Sequence, residues 1–345
     1  MPKRSASSLL ILSAVGLMAV ALWWLRPRQD ALVVYCAHDA EFSEPILKEF
    51  ERRMGIPVVI QFDTEATKSL SLIQRIKAES NQPQCDVFWN NETLGTMDLA
   101  EGGLLESYKG SGYERIPEKY KDSEGRWTGF AARLRVLIYH KEKLPEGSIP
   151  DTEAEVVKLI EEKPSEFAFA KPMFGTTLTH YSALWKEWGG EKLQKWHRDL
   201  VKNGGQEVAG NAKSKDLVAG GNCRAGFTDT DDFYVAFDSG KPVGMVPVRL
   251  KEGGTICIPN TVGIVKGTDR PESARKLVDY LLSEEVEVLL AESAARQIPL
   301  GKVAEAKIPS EVADLMDEAG EGIDLRELGG ARGECLAWLQ KEALQ

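Results

Sequence analysis

The chain is short of the residues that most simple site chemistries need. Its 345 residues include five cysteines and four histidines. The cysteines, at 36, 85, 223, 257 and 335, show no C-x-x-C spacing, which argues against a thiolate zinc site or a dithiol redox motif. No G-x-S-x-G elbow, P-loop, G-x-G-x-x-G or H-E-x-x-H stretch occurs, so an enzyme is the weaker class. There is no long basic run, and the net charge is −10, which argues against nucleic acid and equally against adhesion to anionic lipid. Internal repeats and low-complexity segments are missing too.

What remains is the composition of a folded protein, 43% hydrophobic and 28% charged, long enough for two domains. The N-terminus is a separate object. Lys3 and Arg4 precede an uncharged apolar run over 9–25, and Arg26 and Arg28 follow it. Residues 1–30 are therefore expected to be an export signal, cleaved near Ala19-Val20-Ala21, or an uncleaved anchor with Trp23 and Trp24 at the membrane interface. Either reading places the rest outside the cytoplasm, periplasmic or extracytoplasmic. Export permits disulfides, and Cys223 and Cys257 both lie in strand-like runs, but buried free thiols are the expectation.

From Ala31 the pattern alternates strand and helix. Residues 32–35, 56–62 and 86–89 read as strands, with helices over 43–54, about 68–80 and 91–102 between and after them. That alternation predicts α/β architecture with a mostly parallel sheet covered by helices on both faces. Residues 103–127 look irregular and 130–139 form a long extended run. A second α/β series then starts, with strands at 166–170, 206–209 and 223–227. Residues 254–265 are extended again, an amphipathic helix follows from Pro271 to about Glu292, and the tail is helical and charged.

Several strand ends carry polar, small or acidic residues just before a helix: His38-Asp39, Asn91-Glu92, Gly175-Thr176-Thr177, Asn211 and the acidic turn Asp229-Thr230-Asp231-Asp232. In an open α/β sheet such turns gather at one cleft. The acids and the imidazole suit a hard cation, with Glu92, Asp229, Asp231 and Asp232 as candidate metal ligands. Gly175-Thr176-Thr177 at a helix start suits an anion. Arg133 alternates with Arg135 on one strand, so both can face the cleft. The competing reading is structural: Asp, Thr and Glu are ordinary helix-cap and first-turn residues, and His38 can simply hydrogen-bond within the core.

A family resemblance rests on Val33-Val34-Tyr35, on the helix exit from Phe50 to Gly55-Ile56, on Cys85-Asp86-Val87-Phe88-Trp89 and on Gly103-Leu104-Leu105. It extends through Arg133-x-Arg135-Val136-Leu137-Ile138-Tyr139, Pro259-Asn260-Thr261-Val262-Gly263-Ile264 and Lys276-Leu277-Val278-Asp279-Tyr280-Leu281-Leu282-Ser283. Over about residues 31–300 the chain resembles the solute-binding proteins of ABC importers, in particular their ferric-iron-binding branch. The resemblance implies a two-lobed type II periplasmic binding protein fold, lobe 1 over 31–135 plus 255–345 and lobe 2 over 136–254. Solute would be enclosed between the lobes by a hinge motion.

The resemblance further implies a monomer that catalyses nothing, has no cofactor, and hands a small solute or metal ion to a membrane permease. The expected cargo is ferric iron with a synergistic anion. Iron-binding members use a histidine after the first strand, here His38 or Asp39, and a glutamate after the third, here Asn91 or Glu92. Their tyrosine pair falls on Asp232 and Phe233, with Tyr234 one place later, so carboxylates would replace phenolates. An organic cation, a phosphonate-type anion, or an anchored sensor role are the alternatives.

Overall fold

The computed structural model describes residues 31–63 and 70–344. The expected signal or anchor lies outside these residues; among the described ones no helix is long and apolar enough to cross a membrane. Strand β1 (Leu32–Cys36) is almost wholly buried and leads into helix α1 (Ala40–Met54), whose Ile46, Leu47 and Phe50 face the core. Burying side chains of this size contributes roughly 1.5–3 kcal/mol each. Strand β2 (Val58–Phe62) pairs parallel to β1; after helix α2 (Leu70–Ala78), β3 (Val87–Asn90) pairs parallel to β1 on its other side. Helix α3 (Leu94–Glu101) and the short β4 (Leu105–Glu106) follow. The predicted βαβαβ alternation is thus present.

Strand β5 (Thr128–His140) is buried along its whole length and joins the two halves. Residues 128–134 pair with a strand of the first half, whereas residues 135–139 pair antiparallel with one of the second. The second half continues with α4 (Glu153–Glu162), β6 (Phe167–Ala170), α5 (Gly175–Trp188), α6 (Gly190–Lys202) and β7 (Gln206–Val208). Then come α7 (Asn211–Ala219), β8 (Ala225–Asp229), α8 (Thr230–Asp238) and β9 (Val243–Pro247). Strand β10 (Cys257–Val265) returns to the first half beside β3, antiparallel to it. The strand order is β2-β1-β3-β10-β5-β8-β6-β7. Each half therefore has a parallel core of three strands and one antiparallel neighbour at the junction.

Helices α9 (Pro271–Leu281) and α10 (Glu284–Glu292) cover the first half. The chain then crosses once more, Ile298 bridging to Ala132 of β5. It ends in α11 (Ser310–Gly320) and α12 (Gly329–Glu342). The tail, expected within lobe 1, packs across both halves. Trp338 of α12 lies 5.8 Å from the Trp185 ring of α5, and Glu342 accepts two hydrogen bonds from Arg198 of α6 at 2.8 Å. On its other side Arg332 pairs with Asp98 of α3. A charged helical pattern says that a helix forms, not which of two surfaces will supply its apolar partners. All five cysteines are buried and free.

Candidate functional site

The strand ends of both halves open onto one cleft of about 300 Å³. Of the twelve residues expected to bind ligand, the cleft is lined by Asp39, Asn91, Arg133, Gly175, Thr176, Thr177, Asn211, Asp229, Asp231 and Asp232. His38 and Glu92 are not among its walls. The His38 ring is buried between Phe42 and Trp89, with Nε2 3.3 Å from Gln297 Nε2. Glu92 turns inward, accepting hydrogen bonds from Asn90 Nδ2 at 3.0 Å and from the Gly95 N–H of its own helix at 2.9 Å. Burial raises its carboxyl pKa, opposed by the Arg332 charge. The helix-cap reading fits Glu92, and its placement away from the cleft removes it from the candidate metal set.

The acidic turn behaves differently from an over-supplied cap. Asp229 is the N-cap of α8 but makes no capping bond. Its Oδ1 instead accepts from Arg135 Nη1 at 2.7 Å, and its Oδ2 accepts from Thr176 Oγ1 at 2.6 Å and Asn211 Nδ2 at 2.8 Å. One buried carboxylate thus ties β5, α5, α7 and α8 together. Arg135 has no exposed surface, and a charge buried so completely is tolerable only against a partner such as this. Arg133, two residues earlier on the same strand face, reaches the cleft and pairs with Asp231 at 3.2 Å. Burial opposes its charge, but Asp231 and Asp229 outweigh it and raise its pKa. Asp232 accepts from Thr228 Oγ1 at 2.9 Å.

Helices α5 and α7 both begin at the cleft, and neither has a side-chain cap. By contrast α4, away from the cleft, carries a complete capping box of Thr152 and Glu155. The first N–H groups of a helix lack intrahelical partners and attract anions. Gly175 opens α5 at φ 60, a left-handed conformation that glycine adopts without strain. Around these helix starts stand the hydroxyls of Thr176 and Thr177, the amide of Asn211 and the cations Lys171, Lys215 and Arg133.

Lys171, Lys215, Glu41, Phe42, Phe174 and Val235 line the cleft without having been singled out in the sequence. Two carried a usable signal. Lys171 directly follows strand β6, and Lys215 lies four residues beyond Asn211, on the same face of α7. Five carboxylates and three cations therefore share the cleft. Lys171 and Lys215 come from the second half and Arg133 from the junction strand β5, while Asp39 and Glu41 come from the first. Carboxylate oxygens of Asp229, Asp231 and Asp232 come within 4.8 Å of one another, close enough for a cation to bridge them. Among the described lining residues there is no tyrosine, histidine or cysteine.

Residues 37–288 match the family model of bacterial extracellular solute-binding proteins. Iron uptake protein A1 of Synechocystis sp. (strain ATCC 27184 / PCC 6803 / Kazusa) is 23% identical over 289 residues, covering 77% of this chain and 74% of that protein. Among solved structures, iron-bound HitA from Pseudomonas aeruginosa superposes with a TM-score of 0.78 at 22% identity, over 90% of this chain and 98% of HitA. AfuA from Actinobacillus pleuropneumoniae, with fructose-6-phosphate bound, gives 0.73 at 20% identity, over 92% of this chain and all (100%) of AfuA. These likenesses carry the two-lobed fold.

Proposed function

The chain belongs to the family of bacterial extracellular solute-binding proteins, and from that premise we propose that it captures ferric iron with a synergistic anion for an ABC importer. The family's members bind a small ligand and work with a membrane permease; they are not enzymes. The anion is the half of this reading with the most direct support. Two uncapped helices start at one cleft beside Arg133, Lys171 and Lys215, a ready-made seat for a phosphate, carbonate or carboxylate group. The iron would lie against Asp231 and Asp232, with Asp39 closing from the other half. The names of Iron uptake protein A1 and of the Fe(3+)-binding periplasmic protein of Serratia marcescens, 22% identical over 317 residues, favour that cargo.

A second reading keeps the seat and drops the metal. Asp229 already satisfies Arg135, Thr176 and Asn211, Asp231 is paired with Arg133, and Asp232 accepts from Thr228, so all three clustered carboxylates have competing partners. A phosphate- or phosphonate-type organic anion would leave those pairs intact and place its other polar groups against Asp39, Glu41 and Asp232.

Calorimetric titration of the full-length protein decides between them. Ferric ion with carbonate or phosphate should bind, and neither component alone should bind as tightly. Binding of a sugar phosphate without metal, and none of ferric ion with either anion, would sink the iron reading and keep the seat.

A further inference from the structure

Among the described residues, two non-glycine residues adopt a left-handed backbone, Ala131 and Arg296, each with φ 43. Both lie where the chain passes between the halves. Ala131 is in β5, at the register shift opposite Pro259 and Asn260 of β10. Arg296 precedes the last crossing, and the two crossings are stitched together by Ala132 and Ile298, whose N–H groups donate to each other's carbonyls at 2.7 Å. Left-handed backbone is unfavourable for any residue with a Cβ, so it persists only where the surroundings enforce it.

What enforces it at Ala131 is a buried carboxylate. Glu287 of α10 has no exposed surface, and its Oε1 accepts the Ala131 N–H at 3.0 Å and the Leu300 N–H at 2.8 Å. Its Oε2 accepts the Gly301 N–H and Arg115 Nη2, each at 3.1 Å. On the carbonyl side, Asn260 Nδ2 donates to Ala131 O. One glutamate of the first half therefore holds both Ala131 of β5 and the chain just after Ile298.

The same strand touches the ligand wall a few residues on. Arg133 pairs with Asp231, and the Leu134 N–H donates to Thr230 Oγ1 at 3.3 Å, at the first residue of α8. The segment just before Ile298 is anchored in that half as well, where Arg296 donates to Asp238 at 2.6 Å and to Glu311 at 2.9 Å. The strained residue thus lies between a rigid clamp in one half and the ligand-facing turn of the other. That is where a change of backbone angle at one residue rotates one half against its neighbour.

We propose that Ala131 is the pivot about which the two halves close, and that Glu287 is the positioning residue that holds it in its left-handed state. The inference rests on capture between the halves and not on which solute is captured. In the other lobe arrangement Ala131 relaxes to ordinary extended backbone. Glycine at 131, which takes the left-handed conformation freely, stabilises the arrangement seen here. Loss of the Glu287 charge weakens the clamp and favours the alternative.

The test is the distance between nitroxide labels on the two halves, measured by pulsed electron resonance on the full-length protein without added solute. Labels go on Lys48→Cys of α1 and Lys213→Cys of α7, both exposed, and the native cysteines, all buried, stay unlabelled. Ala131→Gly should narrow the distribution around the distance of the present arrangement. Glu287→Gln should move its weight by several ångströms in the mean. Ala132→Gly, next in the strand but at ordinary φ, should cost stability without moving the distance. Should Glu287→Gln not fold, Ala131→Gly decides alone. Wild-type distributions in every variant that folds would overturn the proposal, as would a shift of equal size in Ala132→Gly.

Discussion

The two walls of the cleft are built from the same kind of part, a strand end running into a helix start, and yet they do opposite things with their acids. On the second wall Asp229 faces the interior of the site and spends both oxygens on Arg135, Thr176 and Asn211, so three helix starts are fixed before any solute arrives. On the first wall Glu92, at the corresponding place after β3, turns back onto Asn90 and the Gly95 N–H of its own helix. Asn91, next to it in the chain, and Asp39, after β1, line the cleft instead. The position of an acid at a strand end does not decide its role. The decisive factor is whether a buried cation bonds it directly: Arg135 donates to Asp229 at 2.7 Å, whereas Arg332 acts on Glu92 through its charge alone and pairs with Asp98.

The largest effect should come from breaking the tied wall. Asp229→Ala strands the fully buried Arg135, and losing one partner of such a pair costs about 3–5 kcal/mol. Denaturant unfolding should show it, and a loss below about 1 kcal/mol, the scale of an exposed pair, would mean that the network carries little of the wall. Arg133→Ala comes next, on binding: a charged hydrogen bond contributes about 1.5–3 kcal/mol, so affinity for the anion should fall roughly ten- to a hundredfold. Unaltered calorimetric affinity would put the seat elsewhere.

Acid and base should separate the halves in opposite directions. His197, behind the second wall, has its pKa lowered by burial from 6.5 to about 4. The unfolded chain therefore binds the proton more readily, and stability should fall as pH drops from 6.5 through 4. Glu92 has its pKa raised by burial, so the folded state holds its proton longer. Stability should therefore decline as pH rises above the ordinary glutamate value. Unfolding midpoints across pH for His197→Asn and Glu92→Gln should each lose one of these slopes. The smallest contrast is on ferric binding: Asp232→Asn should weaken it by about tenfold, a little over 1 kcal/mol, with folding intact, and Glu92→Gln should leave it alone. If the two variants behave alike, the walls are not distinct in the way the geometry indicates.

Much of this was legible in the residues. Strand and helix alternation from Leu32 to Glu101 points to the parallel core, because parallel neighbours need a crossover, usually a helix, between them. The strand-end turns pointed to the cleft, since α/β topology sends all of them to one edge of the sheet. Three things were not legible. Glu92 and Asn91 are adjacent, and which one faces the ligand depends on a helix start shifted by one or two residues. The saturation of Asp229 depends on Arg135, 94 positions earlier in the chain, and no local pattern reports such a contact. The tail's packing on α5 and α6 rests on Trp185 meeting Trp338, a pairing that neither helix announces by itself.

On the proposed reading the second half seats an anion at the starts of α5 and α7. A crystal structure of the protein grown with ferric ion and phosphate, or with a sugar phosphate, tests it most directly. The expected result is an anion whose oxygens lie within hydrogen-bond distance of the Thr176 and Thr177 region and of Asn211, with Arg133 beside it. A ligand bound only against Asp39, Asp231 and Asp232, with those helix starts in contact with water alone, would contradict it.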